Sequence, residues 1–420
     1  MSVFQSAIRL PYLPLLAALL VACGEQRRPA EKPAAAPAVD STARAPAPAP
    51  PDTVDASQTS FSFGGGRDTS FTLNGQRYRL LLRAETDSAK PLTAVSEGIV
   101  GEAFAADTAT FAQTQLVRGY EGAQLITLLD PAGRQVFRRR LPKSAFFAVA
   151  GRDVVTVSEP QRPRFIGAHG PSQTLAFTID IGVPGSDVSE QCVLLLGFDG
   201  NVKRLAISYA SSFGAADCSP RLLPDGTVLT CQELIWPGGM SHLVKRESEL
   251  IAAFMLSDTT LCTVYRYGAY KAVETSTGSP TEYEPLDDLA SAGFAETQWV
   301  EKKSMRNSPN AFVINTRGQV RRAFRYEGYQ GAIAHAVPRR YVWQTHSYYL
   351  LDEERGLYVL DKHNPTQGGE IRFKQMQRFR KPQRPQEVRF VIGTETRTFA
   401  FYVDPAKPTQ LRYERIERRD

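Results

Sequence analysis

Cysteine and histidine are both scarce in this chain, which has 5 of each among its 420 residues. So few cysteines exclude a disulfide-dense scaffold, and 31 Gly with 28 Pro fall well short of a collagenous composition. No apolar run reaches the roughly 20 residues that a membrane-spanning helix requires. The phosphate-cradling GxGxxG and GxxxxGK[ST] patterns are missing, and so is GxSxG, so nothing announces a dinucleotide fold, a P-loop or a hydrolase elbow. No cofactor is expected. Neither C-x-x-C nor H-E-x-x-H occurs, and no two of His169, His242, His335, His346 and His363 are spaced four apart, so no metal site is expected either. What is present, 42% hydrophobic and 22% charged residues, belongs to a chain that folds.

The N-terminus reads as an address. Arg9 precedes an apolar stretch from Leu10 to Ala22 that carries Pro11 and Pro14 and ends in small residues, the shape of a secretory signal. The residues Leu20-Val21-Ala22-Cys23 resemble the lipobox of bacterial lipoproteins. That resemblance implies cleavage after residue 22, with Cys23 lipidated as the first mature residue. Two or more acyl chains suffice for stable membrane anchoring. The competing reading is an ordinary signal with a chance cysteine. Gly24, in place of an inner-membrane retention aspartate, leans toward the outer membrane. Residues 24–60 are dominated by Pro, Ala and small polar residues, with prolines at 46, 48, 50 and 51. They read as an extended tether reaching up to roughly 100 Å. Residues 61–420 are left as the folded body.

Setting Cys23 aside leaves Cys192, Cys218, Cys231 and Cys262. In an oxidising compartment an even number favours two disulfides. Pairing of sequence neighbours, Cys192 with Cys218 and Cys231 with Cys262, is the first expectation. Buried unpaired thiols and a zinc site are the alternatives.

The body is written as hairpins. Asn74-Gly75 separates two alternating segments in 71–80, the strongest short hairpin signal. Similar grammar recurs at 128–137, 147–157, 193–207, 221–231, 253–267, 311–324, 348–361 and 388–403. Nine hairpins give about eighteen strands. The one helix expected spans Asp287–Lys302, acidic at its start and basic at its end. Strands without alternating helices exclude Rossmann and barrel α/β folds. The segments LLDPAGRQVFRR, LLGFDGNVKR and VINTRGQVRR resemble the inner hairpin of degenerate β-propeller blades. About 350 residues at ~45–50 per blade give six or seven blades. The fold expected is therefore all-β and propeller-like, with two tandem β-sandwich domains as the alternative.

Candidate chemistry is thin. Ser212 in ASSFG approximates a nucleophile elbow, but a turn follows where the elbow needs a helix. Glu282, Glu284, Asp287 and Asp288 form an acid cluster suited to glycoside hydrolysis, to Ca²⁺ or merely to solvation. The segment 324–349 is more promising. Phe324, Tyr326, Tyr329, Tyr341, Trp343, Tyr348 and Tyr349 stand among Arg321, Arg322, Arg325, Arg339, Arg340 and His346. Aromatic faces with arginine donors suit a glycan or peptide, whereas period-two placement suits core packing. The ligand-binding candidates are Tyr341, Trp343, His346, Tyr348, Arg339 and His169, the last in the loop GAHGP.

The formal charge of +6 is local: residues 371–420 hold 13 Lys/Arg against 6 Asp/Glu. Its centre, residues 371–386, contains Arg378, Arg380, Lys381 and Arg384. Behind a signal peptide the available polyanions are lipid headgroups, lipopolysaccharide or cell-wall polymer, not nucleic acid. A solvated charge run is the plainer account. Together these features point to a non-catalytic, lipid-anchored envelope module that binds a glycan or protein partner. The alternative is an extracytoplasmic glycan hydrolase or lyase on the same scaffold.

Overall fold

Runs of alternating apolar residues closed by turn signals become short antiparallel strands. The computed structural model of the chain describes residues 53–55, 67–96, 115–184, 188–210, 215–272, 297–331 and 334–416. All of them lie in the unit Pro50–Asp420. Cys23, Ser212, the acid cluster, most of the expected helix and most of the tether lie outside the described residues; the tether ends earlier than residue 60, because Thr53–Asp55 is a strand paired with Leu116–Arg118.

The strands form six sheets in chain order. Sheet 1 is an up-and-down meander of Arg67–Leu73, Gln76–Ser96, Gln115–Leu129 and Gln135–Pro142, with Thr53–Asp55 added in parallel. Sheet 2 is Arg164–His169, Thr174–Gly182, Ser189–Gly197 and Val202–Ala210. Sheet 3 is Arg221–Leu222, Val228–Leu229, Glu233–Trp236 and Gly239–His242. Sheet 4 is Ser248–Met255, Thr260–Ala272, Ala311–Asn315 and Val320–Phe324. The short strand Asp217–Cys218 runs parallel along its first edge. Sheet 5 is Arg339–Val342, Ser347–Asp352, Gly356–Asp361 and Gly368–Arg372. Sheet 6 is Val388–Gly393, Thr398–Val403 and Leu411–Ile416, with Gln377–Arg378 parallel on its far edge.

Burial decides between the two expected architectures. Leu175, Phe177 and Ile179 pack with Leu80, Leu82 and Ile126 of sheet 1, whereas Ala176 and Val193 pack with Val228 of sheet 3. The two faces of sheet 2 thus feed two different cores, as a side-chain period of two requires. Leu234 and Leu229 of sheet 3 join Leu250 and Leu261 of sheet 4, and Val264 and Val313 join Leu350 and Leu360 of sheet 5. Tyr349, Leu351 and Val359 then meet Phe390 and Phe401 of sheet 6. Each fully buried Leu, Phe or Ile in these layers contributes roughly 1.5–3 kcal/mol. Tandem sandwiches would leave solvated faces midway along the chain. Every internal sheet is instead covered on both sides, and the fold is all-β and propeller-like with six successive sheets.

First strands of neighbouring sheets approach closely. A Cβ on Gly170 would lie 3.1 Å from Leu73, and one on Gly167 would lie 3.0 Å from Leu222. The end of the first strand of sheet 2 therefore sits beside the end of the first strand of sheet 1, and the two run side by side in the same direction.

Three expectations are corrected. Eight of the nine hairpins form, but 147–157 does not: Phe147–Ala150 and Arg152–Val157 are helical turns. Gly151, at φ 76° and ψ 143°, redirects the chain without reversing it. The fully buried Lys143 ammonium then donates to the carbonyls of Thr156 at 2.9 Å and Ser158 at 3.0 Å, closing the second turn. Within the helix expected at 287–302, Thr297–Glu301 is a strand paired with Gly268–Ala272, where Trp299 packs edge-on to Tyr270. The disulfide expectation also fails. Cys218 bonds Cys231, with Cα atoms 5.9 Å apart, while Cys192 and Cys262 are free and buried. Cys192 faces the core between sheets 1 and 2 and Cys262 the core between sheets 4 and 5, so intervening layers keep each from the expected partner.

Candidate functional site

The chain enters sheet 3 through residues 215–222, and this passage builds a cavity. Asp217 and Cys218 pair with Ala252 and Ala253 of sheet 4, Arg221 opens sheet 3, and Arg339 opens sheet 5. The disulfide to Cys231 fixes the passage at the seam between sheets 3 and 4. The resulting cavity of about 300 Å³ is lined by Arg221, Arg339, Asp217, Tyr348, Phe254 and Met255, among others.

Two cations there have different states. Arg339 makes a forked ion pair with Asp217, one arm at 3.1 Å, and also donates to Val337 O at 3.0 Å. The Val337 N–H donates to the same carboxylate at 3.0 Å. The guanidinium lies 4.1 Å over the Phe254 ring, whose other neighbour, Tyr348, is 6.4 Å away. Asp217 is thereby committed as an acceptor. Arg221 is exposed, and no carboxylate among the described residues pairs with it. Burial pushes the Tyr348 hydroxyl up from its ordinary value, while the Arg339 and Arg221 charges pull it down. A free guanidinium, an aromatic wall and a neutralised second arginine can hold an anionic group on an apolar body.

The structure brings together part of the candidate set. Arg339 and Tyr348 line the cavity, and Tyr341 stacks behind Tyr348 at 4.8 Å with Lys362 over its far side at 5.4 Å. Trp343 is 69% exposed in the turn after the first strand of sheet 5, and His346 leaves that turn at φ 50° with its ring 5.0 Å from His363. Neither reaches the cavity wall. His169 belongs to the seam of sheets 2 and 3, bonded to Ser172 Oγ at 2.7 Å and packed over Gly226. Most other aromatics of 324–349 are core: Tyr326 donates to Leu351 O at 2.7 Å, and Phe324 stacks on Tyr358 at 3.9 Å.

The basic residues Arg378, Arg380, Lys381 and Arg384 are exposed, and among the described residues no carboxylate pairs with them. Their segment is pinned from beneath. Arg412 donates to Arg380 O at 3.0 Å and pairs with Glu387, which also accepts the Arg384 N–H at 3.0 Å. The Arg412 guanidinium holds the Glu387 carboxyl below the usual carboxylate range.

Sequence reasoning missed Asp217 and Arg221. A signal existed: an arginine opens the first strand of sheets 1, 2, 3 and 5, at Arg67, Arg164, Arg221 and Arg339. Among the described residues, no group of three or more His, Cys, Asp or Glu is placed to hold a metal ion.

No family model matches the chain, and no curated protein matches it. Among solved structures it is similar to the β-propeller domain of the Trilobed protease from Pyrococcus furiosus, at 8% identity, covering 86% of this chain and 97% of that one, with a TM-score of 0.23. It is also similar to the Pyrococcus horikoshii acylaminoacyl peptidase, at 14% identity over 62% of this chain and 46% of that one, TM-score 0.19. TolB from Acinetobacter baumannii gives 9% identity over 71% and 77%, TM-score 0.15. At such scores the fold assignment rests on the six sheets and their cores.

Proposed function

We propose that the chain is a lipid-anchored, non-catalytic binding module of the cell envelope, held at the outer membrane through Cys23, whose cavity at sheets 3 to 5 takes an acidic sugar. One observation carries the ligand class: among the described residues Arg221 has no carboxylate partner in the cavity that Tyr348 also lines, while Asp217 is occupied by Arg339 and the Val337 N–H. A sugar ring offers a face for the aromatic wall, and its carboxylate a partner for the free guanidinium. A committed Asp217 is a poor general acid, and this favours retention of the ligand over its cleavage. The lipobox and the proline-rich tether support the anchor.

Titration of the full chain with oligogalacturonate and with a neutral oligosaccharide of equal length tests the reading. Binding of the acidic series alone, weakened about tenfold or more by Arg221→Ala, is the expected result. Equal binding of both series, no binding of either, or release of shortened sugar would overturn it. The anchor is tested separately: palmitate labelling that is no greater in the wild type than in Cys23→Ala would remove it.

A further inference from the structure

A second arginine cluster lies at the seam of sheets 1 and 2, away from the cavity lined by Arg221 and Arg339. A cleft of about 390 Å³ is lined by Arg67, Arg162 and Arg164, with Leu82 and Phe165 among its walls. Strand alternation decides which of these cations turns toward the cleft. Arg67 pairs across the strand with Leu82 and shares its face with Thr69 and Phe71, the face packed against sheet 2. The neighbouring Asp68 points the other way, where Arg79 and Arg83 hold it at 3.4 and 3.0 Å. Alternation therefore removes the nearest carboxylate from the cleft. Arg164 opens the adjacent first strand, but its Nε donates at 3.0 Å to Oγ1 of Thr178, its partner across the strand, on the face that Val193 turns toward sheet 3, so Arg164 only borders the cleft. Arg162 follows Gln161, whose carbonyl is tied to the buried Gln124 amide at 3.3 Å and whose own amide reaches Glu159. Phe165 stacks against Phe71 at 5.2 Å and Phe177 at 5.6 Å, which makes the wall rigid.

None of the described residues lining this cleft is acidic, and among the described residues no carboxylate pairs with Arg67, Arg162 or Arg164. The like charges of Arg67 and Arg162 on a partly apolar cleft repel one another unless an anion joins them. Guanidinium forks match the oxygens of a phosphate group in geometry as well as charge. We propose that this cleft is a binding site for a phosphate group, independent of the acidic-sugar cavity. The group is supplied by a soluble phosphate monoester or by a lipid headgroup.

The test is calorimetric titration of the full chain with inorganic phosphate at constant ionic strength, with chloride as the control. Wild-type protein is expected to saturate. Arg162→Gln and Arg67→Gln are each expected to weaken binding about tenfold or more, and the double variant to abolish it. Arg221→Ala should leave phosphate binding unchanged, which separates this site from the acidic-sugar cavity. Glycerol phosphate and phosphatidylglycerol vesicles, compared with phosphatidylcholine vesicles, distinguish the two sources. A wild type that does not saturate beyond the chloride control would overturn the site. So would an Arg67→Gln, Arg162→Gln protein that melts like wild type and still binds phosphate equally.

Discussion

Glu190 occupies a position that the strand pattern reserves for an apolar residue. On its strand Cys192, Leu194 and Leu196 face the core between sheets 1 and 2, and a period of two puts Glu190 in line with them. Its Oε2 is buried with no hydrogen-bond partner, and burial raises the carboxyl from about 4.5 to about 7. Between those values the native state holds a proton that the unfolded state has released, so stability falls as pH rises from 4.5 to 7. At full burial the difference is worth about 3 kcal/mol. The side chain keeps partial access to water, and discounting for that screening leaves roughly 1.5 kcal/mol. Glu190→Gln mimics the protonated acid in shape and hydrogen-bonding capacity. Urea unfolding at pH 4 should therefore give the same stability for variant and wild type. At pH 8 the variant should be more stable by about 1.5 kcal/mol, and other titrating groups cancel in the comparison. A difference that is identical at the two pH values would refute the reasoning, as would a wild type that is the more stable at pH 8.

Three further outcomes follow from particular contacts. Cys218→Ser opens a loop of sequence separation 13 and should lower stability by about 3 kcal/mol, read by denaturant unfolding without reductant. In unfolded, unreduced wild type, a maleimide should label Cys192 and Cys262 and spare Cys218 and Cys231. Arg412→Met leaves the Glu387 carboxylate buried, at 3% exposure, without its cation and should cost about 3 kcal/mol. Because Arg412 depresses the Glu387 carboxyl, the stability from this pair is present above about pH 4.5 and lost as pH falls, so the deficit should shrink in acid. Gly226 sits at φ 79°, and a Cβ there would lie 2.5 Å from His169 Nδ1. Gly226→Ala should cost roughly 2–3 kcal/mol in thermal unfolding, and adding His169→Ala should recover the clash but leave about 1 kcal/mol of backbone strain.

The sheets were legible because hairpin turns are local. Asn74-Gly75 and the Asp-Gly pairs at 199–200 and 225–226 each mark a reversal that depends on a few neighbouring residues. The segment 147–157 was misread because Gly151 carries the same letter whether it reverses or merely redirects a chain, and the ψ of 143° that separates the cases is not written in the residue type. The disulfide was misread for a related reason. Which cysteines meet depends on the layer each faces, and Cys192 and Cys262 point into different cores. In the candidate site, Arg339 and Tyr348 were found through the aromatic and basic clustering of one segment. Their partners Asp217 and Arg221 come from a passage more than 100 residues earlier, and no local pattern links the two (Val337 and Asp217 are 120 apart).

In a series of sheets whose inner members are covered on both faces, solvent-facing chemistry is pushed to strand edges and turns. The arginines that open first strands lie there, two to each cavity lining. Arg67 and Arg164 share the cleft at sheets 1 and 2, and Arg221 and Arg339 share the cavity at sheets 3 to 5. What separates the two is a single carboxylate: Asp217, on the parallel strand beside sheet 4, neutralises Arg339, whereas Asp68 is turned away from Arg67 by the alternation of its own strand. Among the described residues, one cavity thus presents one free guanidinium beside aromatic rings, and the other presents Arg67 and Arg162 with no carboxylate in its lining. A monoanion on a sugar ring suits the first and a polyanionic phosphate the second. Exchanging this single feature, by Asp217→Asn, should move the first toward the second: the Arg339 fork is released into the cavity, and phosphate binding should appear at a site where the wild type has none.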